Sequence, residues 1–155
     1  MENGQLKIGI LTSGGDAPGM NAAIRAVVRT GINKNCRVIG IHKGYIGLIN
    51  GDITELKSKD VSDIMNRGGT ILHTARCPEM MTEEGLSRAA AIYNILGLDG
   101  LVVIGGDGSF RGCQALSERG VNAIGIPGTI DLDISCSEYT IGFDTAVNTG
   151  LDAIR

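Results

Sequence analysis

Leu101-Val-Val-Ile104 is an apolar run without polar alternation, and Gly105-Gly-Asp-Gly108 follows it at once. A strand of this kind needs cover on both faces, which a parallel sheet flanked by helices provides. Other parts of the chain repeat the unit. Leu6-Lys-Ile-Gly-Ile-Leu-Thr12 ends in Ser13-Gly-Gly-Asp16, Met20–Asn33 has apolar residues at 20, 23, 24, 27, 28 and 32, and Arg37–Ile41 is a second short strand. The middle segment has helical spacing, so the three make a βαβ unit. A helix is predicted over 82–96, with Thr82 as N-cap, Glu83 and Glu84 in the first turn, and Gly97 at the stop. The pattern further predicts a helix over 109–119, a strand over 122–126, a loop over 127–137 and a helix from Phe143. Turn signals occupy 44–51, and 57–66 is expected to hold a short helix. No stop signal stands near Arg155, as in a chain that ends in mid-helix and belongs to something longer. The fold class that follows is α/β, a three-layer sandwich with a mostly parallel sheet.

Composition narrows the functions open to such a domain. Glycine is the outlier, with 24 of 155 residues and clusters at Gly14-Gly15, Gly68-Gly69 and Gly105-Gly106. Such clusters indicate tight turns or backbone that approaches a ligand. A net charge of −3 argues against nucleic acid as a partner, and 3% aromatics without Trp argue against a base-stacking platform. No segment reads as a signal peptide, and none reaches the roughly 20 apolar residues of a membrane span. A cytoplasmic protein with no membrane partner is expected. Cys36, Cys77, Cys113 and Cys136 lie far apart, without metal-ligand spacing, and are expected as reduced thiols. His42 and His73 are expected as incidental residues rather than zinc ligands.

Ligands of open parallel sheets bind beyond the carboxyl ends of the strands, where three unusual loops fall. In Thr12-Ser-Gly-Gly-Asp-Ala-Pro-Gly-Met-Asn21, bare backbone amides suit a phosphate, although two glycines also serve a plain tight turn. Neither a Walker ending nor the dinucleotide Gly-x-Gly-x-x-Gly spacing is present. In Gly105-Gly-Asp-Gly-Ser109, Asp107 is either a partner for phosphate-bound Mg²⁺ or a residue that makes a turn or caps the next helix. In Pro127-Gly-Thr-Ile-Asp-Leu-Asp133, an extended segment would place Asp131 and Asp133 on one side, as a base and its helper or as a polar turn. Arg25 and Arg29 lie four apart on one helix face, and Arg76 stands in a loop after Gly68-Gly69. Each of these reads as a phosphate ligand or as solvated surface.

Together the segments resemble one family. Thr12-Ser-Gly-Gly-Asp-Ala-Pro-Gly-Met-Asn-Ala-Ala-Ile-Arg25 resembles the opening signature of the phosphofructokinases. Arg67-Gly-Gly-Thr70, Thr74-Ala-Arg-Cys-Pro-Glu79, Val103-Ile-Gly-Gly-Asp-Gly-Ser109, Pro127-Gly-Thr-Ile-Asp131 and Tyr139-Thr-Ile-Gly-Phe-Asp-Thr-Ala146 are similar to its further motifs, in family order. The resemblance covers nearly all of this chain and about the first half of the family's protein. It implies an N-terminal ATP- and Mg²⁺-binding domain over 1–155, ending at or near the crossover to a sugar-phosphate domain. The reaction implied is the glycolytic transfer from Mg-ATP to the 1-hydroxyl of fructose 6-phosphate, giving fructose 1,6-bisphosphate and ADP.

By the same resemblance, Asp131 is the general base, Thr129 touches the transferring phosphoryl group, and Ile130 belongs to the substrate segment between them. Asp133 supports them near the metal, and Asp107 serves Mg²⁺. Gly15 offers its N–H to the terminal phosphates, and Arg76 steadies transition-state charge. Cys77, Gly106, Gly108 and Ser109 line the nucleotide together with Asp107, and Tyr45 lies over it. Arg25 and Arg29, with Ser62 and Asp63, match positions that bind an allosteric nucleotide or phosphoenolpyruvate. A homotetramer is implied. Such chemistry asks for positioning and charge neutralisation rather than a covalent intermediate.

Gly108 and Gly128 stand where the pyrophosphate-dependent branch has Asp and Lys, so the resemblance implies ATP as donor, with room for a longer nucleotide. Leu132 replaces a family Asn between the two carboxylates, which implies weaker positioning and a kcat that rises in a full-length Leu132→Asn variant. Around Ser58 and Lys59 an arginine often found at the effector site is absent. The missing later half leaves an alternative: a truncated nucleotide-binding half that does not turn over.

Overall fold

The computed structural model describes residues 4–135 and 137–155, so Cys136 lies outside the described residues. The apolar runs form the strands: β1 (Lys7–Thr12), β2 (Arg37–Ile41), β3 (Ile53–Leu56), β4 (Gly100–Gly105), β5 (Ala123–Thr129) and a short β6 (Ile141–Gly142). They make one sheet in the order β3-β2-β1-β4-β5-β6, parallel throughout except for β3, which runs antiparallel to β2. The chain steps from β1 to β2 on one side, and β4 then pairs on the other side of β1. Strand order therefore reverses between β1 and β4, and the crevice beyond their carboxyl ends is the topological switch point.

Successive residues along each strand supply opposite faces. Leu11, Ile39, Leu101 and Val103 share a buried cluster with residues of α2 (Tyr45–Asn50), α3 (Glu83–Ile95) and α4 (Asp107–Ser117). Ile10, Val38 and Ile104 share the other cluster with Met20, Ile24 and Val28 of α1 (Met20–Asn33). Three layers result, as the pattern predicts, and cover on both sides explains why 101–104 lacks alternation. The last helix, α5 (Phe143–Ile154), buries none of its residues.

Four segments differ from their sequence-based expectation. The glycines that mark turns at 44–51 are the caps of a short helix, with Gly51 left-handed at φ 69 and Tyr45, Leu48 and Ile49 buried. The stretch 57–66 forms successive turns instead of a helix. Arg25 Nη1 donates to the Val61 carbonyl at 2.7 Å, and the Lys57 N–H donates to Asp60 Oδ2 at 2.8 Å. Asp63 is left-handed at φ 55, so groups that a helical ladder would need are engaged elsewhere. β5 continues past 126 to Thr129. Its Pro127 lies beside Gly105, and pairing with β6 begins only at Gly128, so the missing proline N–H interrupts no bond on that side. Finally, α4 starts at Asp107 rather than 109, because extended Gly106 is the N-cap and its carbonyl accepts the Phe110 N–H at 3.1 Å.

Candidate functional site

Three strand ends meet at the switch point. The Ser13 N–H donates to the Ile104 carbonyl at 2.9 Å, so the loop after β1 leaves against β4. A Cβ on Gly105 would sit 2.6 Å from the Ser13 carbonyl and collide with the Ser109 hydroxyl, so only glycine lets these loops close on each other. A Cβ on Gly106 would lie 3.5 Å from Thr129. The loops that carry Gly15, Asp107 and Thr129 are thus neighbours. Gly14, Gly15 and Asp16 are exposed, and a Cβ on Gly15 or Gly108 would meet nothing within 4 Å, so the backbone there faces open space. The start of α1 is not free in the same way, since a Cβ on its N-cap Gly19 would lie 2.6 Å from Ile141.

Asp107 opens α4, and its carboxylate forms an ion pair with Arg111, Oδ2 lying 2.9 Å from Nη2, with the Asp107 side chain 44% exposed. On the next strand, the Asp131 N–H donates to Thr129 Oγ1 at 3.2 Å, and Thr140 Oγ1 donates to the Thr129 carbonyl at 2.6 Å. These two bonds tie the Asp131 segment to the end of β5. Asp131 and Asp133 are both exposed, and so is Ile130. Leu132 between them is left-handed at φ 50. The segment is therefore not extended, and the alternation that would set Asp131 and Asp133 on one side does not apply.

Tyr45 is buried against α4. It is 4% exposed, its hydroxyl donates to the Ser109 carbonyl at 2.5 Å, and burial pushes the phenol well above its ordinary range. A Cβ on Gly112 would come 2.9 Å from the Tyr45 ring, which shows how closely ring and helix pack. Cys77 is half-buried against the same apolar cluster, and burial raises its thiol. Arg76 beside it is exposed and makes no ion pair among the described residues. Two anchors escape a sequence reading. Buried Asn21 donates to the Arg67 carbonyl at 3.1 Å and accepts from the Ile71 N–H at 2.8 Å. The Thr12 hydroxyl donates to the His73 carbonyl at 3.0 Å and lies 2.9 Å from the Thr70 hydroxyl, so the 67–73 loop is pinned to the end of β1. Nothing in local spacing points to those partners. Arg111 is a further partner of the site, and its i,i+4 spacing from Asp107 is the sequence signal for it.

The residues matched to an effector site lie apart, on the α1 side of the sheet. Arg25, Asp63, Met65 and Asn66 line a cleft of about 170 Å³. Ser62 bonds the Ser58 carbonyl at 3.4 Å, and Arg29 is exposed without lining that cleft. A cleft of about 410 Å³ near Ile32, Arg37 and Leu56 includes none of the site residues. Among the described residues no three His, Cys, Asp or Glu converge on one point. Lone Asp107 beside bare, open backbone still fits Mg²⁺, which keeps most of its waters and takes phosphate oxygens as ligands.

A family model described as phosphofructokinase matches residues 7–155. The chain belongs to the phosphofructokinase family. It is 65% identical over 148 residues to an ATP-dependent 6-phosphofructokinase of Clostridium botulinum (strain Hall), covering 96% of this chain and 46% of that one. To the ATP-dependent 6-phosphofructokinase of Clostridium tetani it is 64% identical over 149 residues, covering 96% and 47%. The chain therefore spans about half the length of the curated phosphofructokinases it matches. Pichia pastoris phosphofructokinase in the T-state has a similar structure, with a TM-score of 0.91 and 39% identity over 98% of this chain and 18% of that one. Gly108 and Gly128 differ in setting. Gly108 faces open space, but a Cβ on Gly128 would lie 3.0 Å from Ile104 and 3.7 Å from Met20, so Gly128 answers to core packing.

Proposed function

We propose that this chain is the ATP- and Mg²⁺-binding half of an ATP-dependent 6-phosphofructokinase, ending at or near the crossover to a sugar-phosphate domain. The observation that carries the reading is the packing of three glycine-rich strand ends at one switch point, with Asp107 after β4 and Asp131 after β5. In this reading the Gly15 N–H and neighbouring amides receive the terminal phosphates, and Gly106, Gly108, Ser109 and Cys77 border the nucleotide. Tyr45 acts by holding the first turn of α4. Asp107 holds Mg²⁺, which when bound neutralises phosphate charge. Asp131 takes the proton from the 1-hydroxyl of fructose 6-phosphate, with Thr129 and Ile130 alongside it, Asp133 in support and Arg76 against the developing charge. Arg25, Arg29, Ser62 and Asp63 serve an effector phosphate such as that of phosphoenolpyruvate. Assembly as a homotetramer and a cytoplasmic location belong to the same reading.

Calorimetric titration with Mg-ATP tests it. Asp107→Asn is expected to weaken binding about tenfold, the size of a lost charge-assisted contact. Asp131→Asn is expected to leave binding within about twofold, since the base acts in the transition state and contributes roughly 10²–10⁴-fold to rate. No ATP binding by the unaltered chain would overturn the proposal. Fructose 1,6-bisphosphate formed by the chain, and lost in Asp131→Asn, would assign turnover to it. ATP binding without turnover in either protein would assign it the nucleotide step alone.

A further inference from the structure

We propose that Arg111 is the counter-cation that occupies Asp107 until a dication takes the carboxylate, and that it then turns to the nucleotide's phosphates. The inference rests on the nucleotide reading above. Of the four ion pairs among the described residues, Arg111–Asp107 is the one that engages a candidate site carboxylate.

The geometry of α4 divides its two faces. Ser109, Cys113 and Leu116 are buried, and Tyr45 packs on Gly112 from that side. Gly108 and Arg111 are exposed, and a Cβ on Gly108 would meet nothing within 4 Å. Asp107 and Arg111 therefore stand on the open face, on either side of a position that has no side chain. Helical side chains lean toward the helix N-terminus, which carries the Arg111 guanidinium back over Gly108 to Asp107. The Tyr45 hydroxyl on the Ser109 carbonyl holds that turn in place, so both groups ride on a fixed backbone. With its side chain 79% exposed, Arg111 is free to swing once its partner is engaged.

Charge makes the consequence specific. A guanidinium on Asp107 Oδ2 competes with a dication for the same oxygen and repels it. Without metal, the same guanidinium masks the Asp107 charge, which would otherwise repel an arriving polyphosphate. Removing Arg111 thus has opposite effects on the two partners, which a packing role would not produce.

Calorimetric titration of the full chain with ATP, once in EDTA and once in excess Mg²⁺, reads this out. Arg111→Gln is expected to weaken metal-free binding and to raise the ratio of Kd in EDTA to Kd in Mg²⁺ by about two- to fivefold, the range for an exposed ion pair. Arg111→Lys, which keeps the charge, is expected to hold that ratio near the unaltered value. A ratio unchanged in Arg111→Gln, with Mg-ATP still bound, would overturn the role of Arg111 and leave the nucleotide reading standing. Equal weakening in both conditions would overturn it as well. No ATP binding by the unaltered chain in either condition would overturn both proposals.

Discussion

Leu132 carries a branched side chain on a left-handed backbone at φ 50, and its side chain finds little burial in return, being 46% exposed. That conformation costs an L-residue about 1–2 kcal/mol, less for asparagine, whose short side chain tolerates it. Leu132→Asn is therefore expected to stabilise the chain by about 0.5–1 kcal/mol, and Leu132→Val to destabilise it, in urea unfolding followed by circular dichroism. Equal stability of all three would show that the turn relaxes around the side chain. Because Leu132 separates Asp131 from Asp133, the same strain bears on how firmly the two carboxylates are held. Tyr45 presents the opposite case, a polar group well served by its burial. Tyr45→Phe leaves the ring and deletes the donor to the Ser109 carbonyl, for an expected loss of about 1–2 kcal/mol in the same assay.

Elements with a clear period were legible and short ones were not. Helix α1 matched its apolar spacing, and α3 matched because Thr82 caps it, accepting from the Gly85 N–H at 3.1 Å while donating to the Glu79 carbonyl at 2.8 Å. Thr82→Ala is expected to cost about 1 kcal/mol and Thr82→Ser much less, measured by thermal or urea unfolding. Helix α2 is too short to display a period, and its capping glycines imitate a loop. Strand β3 escaped notice because it is four residues long and polar at its centre. Glu55 answers Arg37 across the strand pair at 2.8 Å, a partnership that only the antiparallel register creates. The lost helix at 57–66 has the same cause at longer range, since Arg25 of α1 claims the Val61 carbonyl.

For the molecule as a whole, the sheet is sealed on both faces over β1, β2 and β4, while α5 buries nothing. Val147, Leu151 and Ile154 form an apolar stripe at helical spacing and are 45%, 50% and 85% exposed. Ile124 on β5 is 65% exposed. Apolar surface of this kind is expected to bind the dye ANS in the native state. A Val147→Ser, Leu151→Ser double variant should lower the dye's emission while changing unfolding free energy by less than about 0.5 kcal/mol per site, as exposed positions allow. Unchanged emission would place the dye on some other surface.

The sequence alone determined the fold class, the main strands and long helices, and the three loops proposed to carry the site, because periodicity and glycine clusters record what each element must bury or leave bare. Tertiary structure alone decided which of those residues meet. Reversal of strand order at β1 and β4 brings the Gly15 and Asp107 loops together, and the β4–β5 register adds Thr129. The placement of Tyr45 beneath α4, the tethering of the 67–73 loop by Asn21 and the turn at Leu132 were likewise settled there. The reason is physical: a local pattern encodes which face of an element is apolar, whereas pairing, register and the capture of distant carbonyls depend on what lies across the gap.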